Sequence, residues 1–357
     1  MMTNKSRRPS NDDLVATLSR LADMLKADEN ANKEPPHFSH YREIPKDVTT
    51  AYDLMYQGAE LIHGTATKYT LVGKIDEIEQ KKLGADLLSG CELLASATLA
   101  LLQDSSGCSR AVRRSAQRAT LAIILTVIQL AASFSDHTAL EENIGAQKTG
   151  AVWETCDKVL NRLVPQGNRN AIRREIFTWT RETNDSMEEF QEMIDRGSSE
   201  DDDGAIGEEM DDLFGEEDDQ FSEMELPVAK ACVGILKCSR GTMKLTLEVC
   251  EALGAKYAET HEQGHLDQLL TIQSNARTVG EGVTDMGSLM YPPILPNSED
   301  LESQAQKQVE AIITLLDIAL GMEGLPSDVS ELAHVLRGAV DTRNQEFLSS
   351  VAEAKKT

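Results

Sequence analysis

Aromatic side chains make up only 4% of this 357-residue chain. Strands draw heavily on aromatic and β-branched residues, so a chain this poor in them and rich in Ala and Leu excludes a large β-sandwich or barrel. None of the six cysteines (Cys91, Cys108, Cys156, Cys232, Cys238 and Cys250) forms a Cys-x-x-Cys pair. They read as reduced thiols filling a core, as in a cytosolic or nuclear protein. Positive charge is scarce as well: 35 Lys and Arg stand against 60 Asp and Glu, a formal charge of −25. Binding to duplex DNA needs clustered cations, and an anionic bilayer repels such a chain, so neither direct nucleic-acid binding nor membrane binding is expected. No secretory leader is visible, because the charged start, residues 1–9, has no apolar run behind it. The longest apolar stretch, residues 119–134, spans 16 positions and is broken by Thr126, Gln129 and Ser133. That is short of the ~20 residues a bilayer span requires.

Catalytic signatures are equally thin. There is no G-x-x-x-x-G-K-[ST] phosphate loop, no G-x-G-x-x-G and no G-x-S-x-G elbow. His261-Glu262-Gln263-Gly264-His265 fits H-E-x-x-H, in which two histidines one helical turn apart hold zinc and the glutamate acts as base. Gly254 and Gly264 frame it as a turn between helices. The longer metzincin pattern fails too, with Gln268 and Thr271 where glycine and a third histidine belong. Glu281 is a conceivable third ligand that nothing singles out. His37-x-x-His40 lies in a Pro-containing loop without further ligands. No catalytic residue, cofactor or metal is therefore expected, and a zinc hydrolase through His261 and His265 is the remote alternative.

What the chain does have is helical periodicity. Ser10 reads as a cap for a first helix with Leu14, Leu18, Leu21 and Leu25 on one face. Pro45 opens a second helix, carrying Val48, Met55, Ala59, Ile62 and Tyr69. A third shows Leu87, Cys91, Leu94 and Leu101. The fourth adds Ile124, Leu125 and Ile128 to the stripe Val112, Ala116, Ile123, Val127, Leu130, which marks the central helix of a bundle. Trp153, Phe177 and Phe190 in helices five and six read as bundle interior. Four more helices follow Pro227, the last with Val329, Leu332, Val335, Leu336, Val340 and Phe347 in its stripe. Interior glycines, among them Gly58, Gly64, Gly84, Gly90 and Gly280, cost about 1 kcal/mol each against Ala, so packing must hold these helices. Such glycines let neighbouring helices approach closely.

Between the two groups of helices, residues 195–225 hold 15 acids and one base, a net −14. Repulsion at that density, with little apolar surface to offset ordering entropy, predicts a disordered linker. The expectation is thus an all-α protein: a flexible N-terminus over 1–9, an N-terminal bundle over 10–196, an acidic linker over 197–225 and a C-terminal four-helix bundle over 226–354. Helix six is open to either bundle. Candidate partner-binding residues are the cationic face Arg110, Arg113, Arg114 and Arg118, and the apolar linker residues Leu213, Phe214 and Phe221. The bland alternatives are a solvated face and a spacer. In the sharper reading the linker folds back onto Arg113 and Arg114 and shields a bundle surface.

Three segments carry a family resemblance. Ala151-Val152-Trp153-Glu154-Thr155-Cys156 precedes Met187-Glu188-Glu189. The acidic run containing Asp211-Asp212-Leu213-Phe214-Gly215 leads into Glu225-Leu226-Pro227-Val228-Ala229-Lys230-Ala231-Cys232. Asp285-Met286-Gly287-Ser288-Leu289-Met290-Tyr291-Pro292-Pro293 follows. In this order they resemble the cyclin-D-binding protein family. The resemblance implies a non-enzymatic regulator that binds D-type cyclins, restrains the cyclin–kinase complex and so lowers retinoblastoma-protein phosphorylation and S-phase transcription. It also implies antagonism of helix-loop-helix factors by a protein without a basic DNA-reading region, acting in cytoplasm and nucleus. It carries over no contact residue. A scaffold resembling the vinculin and talin bundles is the second expectation, by analogy of architecture.

Overall fold

The computed structural model describes residues 11–37, 41–73, 76–135, 143–197 and 220–356. Among these residues there are ten α-helices and no strand: α1 (Asn11–Ala27), α2 (Lys46–Gly73), α3 (Glu77–Leu102), α4 (Arg110–Ser135), α5 (Ile144–Leu160), α6 (Gly167–Gly197), α7 (Leu226–Thr260), α8 (Gln263–Ser288), α9 (Ser298–Leu320) and α10 (Ser327–Ala354). The all-α expectation holds. Ser10, the expected first cap, lies outside the described residues.

The chain forms two compact units, Met1–Ile172 and Arg173–Thr357. The division falls within α6 and not at its end, so most of this helix counts with the second unit. The reason is side-chain chemistry: Glu175 on α6 accepts from Gln273 (2.9 Å) and Arg277 (2.9 Å) on α8. Trp179 covers Gly280, where a Cβ would stand 2.5 Å from its ring. Phe190 is buried and packs edge-on against Tyr291, whose hydroxyl donates to Glu189 at 2.7 Å.

In the first unit α2 packs on α3 and α5, while α4 packs on α1, α3 and α5. Leu14, Leu18, Ile62, Tyr69, Leu87, Cys91, Ile123 and Val127 fill the space between them. Full burial of a Leu or Ile side chain contributes about 1.5–3 kcal/mol. The α2–α3 contact depends on two glycines. A Cβ on Gly58 would lie 2.7 Å from the Gly90 carbonyl oxygen, and one on Gly90 would lie 2.5 Å from Ile62. At Gly64 nothing comes within 4 Å, so that glycine serves no close approach.

In the second unit α7 packs on α8, α9 and α10, and α9 also packs on α8 and α10. The stripe Leu266, Leu269, Ile272, Ala276, Val279, Val283 and Met286 is buried throughout. The face of α10 departs from its expected stripe. Val329, Ala333, Val340, Phe347 and Val351 are buried, whereas Leu332 and Val335 are 40% and 68% exposed.

All six cysteines are unpaired and buried. By length and composition, the segments Ile78–Leu102 of α3 and Arg110–Ser135 of α4 are long and apolar enough to cross a membrane. The 16-position stretch in α4 therefore does not decide the question by length, because the helix runs for 26 residues. About half of each segment is already buried within its unit (50% and 44%).

Candidate functional site

The cationic face at the start of α4 is divided by the fold. Arg113 is fully buried. Its guanidinium donates to the carbonyl oxygens of Asn30 (3.3 Å) and Gln103 (3.2 Å) and to the Asp104 carboxylate (3.2 Å). It cross-ties the turn after α1 to the α3–α4 connection, and it is not available to a partner or to the acidic linker. Arg110 stands 4.0 Å from Glu34, which also accepts the Arg110 backbone N–H at 2.9 Å. Burial pushes the Glu34 carboxyl up, against the opposing pull of that hydrogen bond and of the charges on Arg110 and Arg113. Arg114 is half-buried, and Arg118 alone of the four is exposed.

Arg113 shares a helix face with Thr120, Ile124, Val127 and Ala131, all of them buried. That spacing placed it on the second apolar stripe of α4 and was the signal that it points inward.

Of the apolar linker candidates, Leu213 and Phe214 lie outside the described residues. Phe221 is 4% exposed and part of the second unit's core, so it is no free anchor. The expected linker therefore ends before Phe221, and Glu225 is buried as well.

His261 and His265 do not share a helix. His261 ends α7 in the left-handed region (φ 53°), Glu262 precedes α8 in extended conformation, and His265 sits in the first turn of α8. His265 Nδ1 is 3.0 Å from the Thr260 hydroxyl, and its Nε2 is 3.8 Å from Glu262. The motif is thus the interhelical turn that its glycines indicated, and Glu262 faces its own histidine. Among the described residues no three His, Cys, Asp or Glu side chains converge on a common ion position. His40 lies outside them. A small cleft lined by Glu43, Ser106, Cys108 and Asn168 has a volume of about 10 Å³, room for a single water.

Trp153 and Phe177, expected in the bundle interior, face outward. Trp153 on α5 is 38% exposed, and its ring stacks on His63 of α2 (centroids 5.5 Å, 22°). Its indole N–H donates to the His63 carbonyl at 3.2 Å, and His63 Nε2 lies 3.7 Å from Asp157. Tyr56, seven residues before His63 and so on the same face of α2, is 40% exposed. Tyr56, His63, Trp153 and Asp157 thus combine aromatic area with charge on neighbouring helices. Phe177 is exposed as well, at 60%, and only Phe190 is interior as expected. Trp153 and Phe177 each stand one position past a buried stripe residue, Val152 and Ile176, which turns them about 100° away from it.

Residues 55–196 match the family described as Grap2 and cyclin-D-interacting, N-terminal. Over 202 residues the chain is 26% identical to a protein of Xenopus laevis named Cyclin-D1-binding protein 1 homolog, covering 56% of this chain and 57% of that relative. The chain thus spans less than two thirds of the curated relative's length.

Proposed function

From its similarity to the cyclin-D-binding protein family, we propose that this chain is a non-enzymatic regulator that binds a D-type cyclin. One observation carries the reading. The matched stretch, residues 55–196, contains the face on which Tyr56, His63 and Trp153 meet solvent. Tyrosine and tryptophan dominate binding hot spots because each offers a large, stiff contact area that also hydrogen-bonds. A bundle spends its apolar stripes on its own core, so residues of this kind left outside are what a partner can bury. Arg114 and Arg118, the part of the cationic face that reaches solvent, would steer an acidic partner and set the salt dependence of association. By sequestering the cyclin, the protein would restrain cell-cycle progression in cytoplasm and nucleus. Helix-loop-helix proteins are the second class of partner that the family resemblance implies.

The test is equilibrium binding of the full chain to an immobilised D-type cyclin. Trp153→Ala and Tyr56→Ala should each weaken binding, Trp153→Ala by about 30-fold, the scale of a hot-spot residue. Circular dichroism should show wild-type helicity in both variants. Absence of binding by the wild-type chain would overturn the reading, and so would wild-type affinity in both variants.

A further inference from the structure

Immediately after the acidic run, residues 221–225 are clasped to the core of the second unit. Phe221 and Glu225 are each 4% exposed. Glu225 Oε1 accepts the backbone N–H groups of Ile294 (2.6 Å) and Leu295 (3.1 Å), just ahead of α9. Its Oε2 accepts from the Ser222 backbone N–H (3.0 Å) and the Ser222 hydroxyl (2.9 Å). Burial pushes this carboxyl up, but the four hydrogen bonds outweigh it and hold the group below its usual range. One carboxylate thus ties the end of the acidic run, the start of α7 and the approach to α9 together, and an exposed serine side chain completes its coordination.

We propose that Ser222 is a phosphorylation site for an acid-directed serine/threonine kinase and that its modification opens this clasp. The sequence Ser222-Glu223-Met224-Glu225 places carboxylates one and three residues after the hydroxyl, and the four residues 216–219 before it are all acidic. A kinase groove lined with cations recognises such a pattern. In the transfer, the Ser222 Oγ–phosphorus bond forms as the bond from the ATP γ-phosphorus to the departing ADP oxygen breaks. The hydroxyl proton passes to the kinase's catalytic aspartate.

The product cannot keep the clasp. The proton that Oγ donates to Glu225 is gone, and a group of charge about −2 stands beside an ionised carboxylate. A helix N-terminus ordinarily welcomes phosphate, but here two of the donors nearest Ser222 are engaged and a third is missing. Leu226 N–H is given to the Ser222 carbonyl and Ala229 N–H to that of Glu225, while Pro227 has no N–H. The next basic residue along the chain is Lys230. Repulsion therefore wins, and the phosphate holds Phe221 and Glu225 away from their seats. The kinase acts on the transiently opened segment and traps it.

The test uses the full chain carrying Ser198→Ala and Ser199→Ala, so that phosphate on those serines does not contribute. The chain is treated with ATP and an acid-directed kinase. Mass spectrometry should find phosphate on Ser222, and amide exchange at Ile294 and Leu295 should accelerate by about tenfold or more, the scale of losing hydrogen bonds to a charged acceptor. Ser222→Ala, which removes one hydrogen bond without adding charge, should accelerate exchange far less. A Ser222 that stays unmodified would overturn the proposal, as would a phosphorylated chain whose exchange at Ile294 and Leu295 is unchanged.

Discussion

A buried guanidinium costs stability for every donor left unused; the two terminal nitrogens of Arg113 reach three carbonyl or carboxylate acceptors from two different connections, while its Nε is buried without a partner. Arg113→Ala should therefore cost about 2–3 kcal/mol in a urea titration, from orphaned acceptors plus a cavity. Arg118→Ala, five residues on and on the exposed side of α4, should stay within about 0.5 kcal/mol. The buried thiols make a pH-dependent prediction. Burial, above all, pushes Cys156 and Cys250 up to about 12 from an ordinary value near 9. Below pH 9 both the folded and unfolded chains hold these protons. Between about 9 and 12 the unfolded chain releases them first, so stability falls by up to about 1.4 kcal/mol per pH unit for each thiol. The urea midpoint should drop between pH 8 and pH 10.5. At pH 8 iodoacetamide should label the native thiols far more slowly than the denatured ones.

At the scale of the helix, glycine separates two cases that look alike in sequence. Gly58 and Gly90 face each other across the α2–α3 contact, where either Cβ would collide with a neighbouring helix. Gly90→Ala should destabilise by about 1–3 kcal/mol through overpacking. Gly64, in the same helix as Gly58 but facing open space, should respond oppositely, with Gly64→Ala stabilising by about 1 kcal/mol. Thermal unfolding of the two variants checks both signs. Periodicity reveals that a helix exists and which stripe is apolar, but not which neighbour stands opposite a given glycine. The same limit explains α10, whose apolar residues support two overlapping stripes. The one through Ala333 and Val351 is covered, and the one through Leu332 and Val335 is left out. On α4 and α5 the information was present: Arg113 shares a face with Thr120 and Ile124, and Trp153 stands one step off the Val152, Cys156, Val159 stripe. Residue type outweighed spacing there, since an arginine reads as surface and a tryptophan as interior.

For the molecule as a whole, the all-α class and the order of the ten helices follow from the hydrophobic period. The division inside α6 does not, because it depends on polar partners such as Glu175 with Gln273 and Arg277, which are far apart in the chain. The cationic cluster was legible as a cluster but not as divided between a buried tie and an exposed remnant. Within the matched stretch, residues 55–196, α2 and α5 turn Tyr56, His63 and Trp153 toward solvent, and these are the residues proposed to meet the cyclin. The most direct measurement is amide hydrogen exchange across the full chain, alone and saturated with a D-type cyclin. New protection is expected in the segments of α2 around Tyr56 and His63 and of α5 around Trp153, with the second unit unchanged. Protection confined to α7–α10, or none at all, would contradict it.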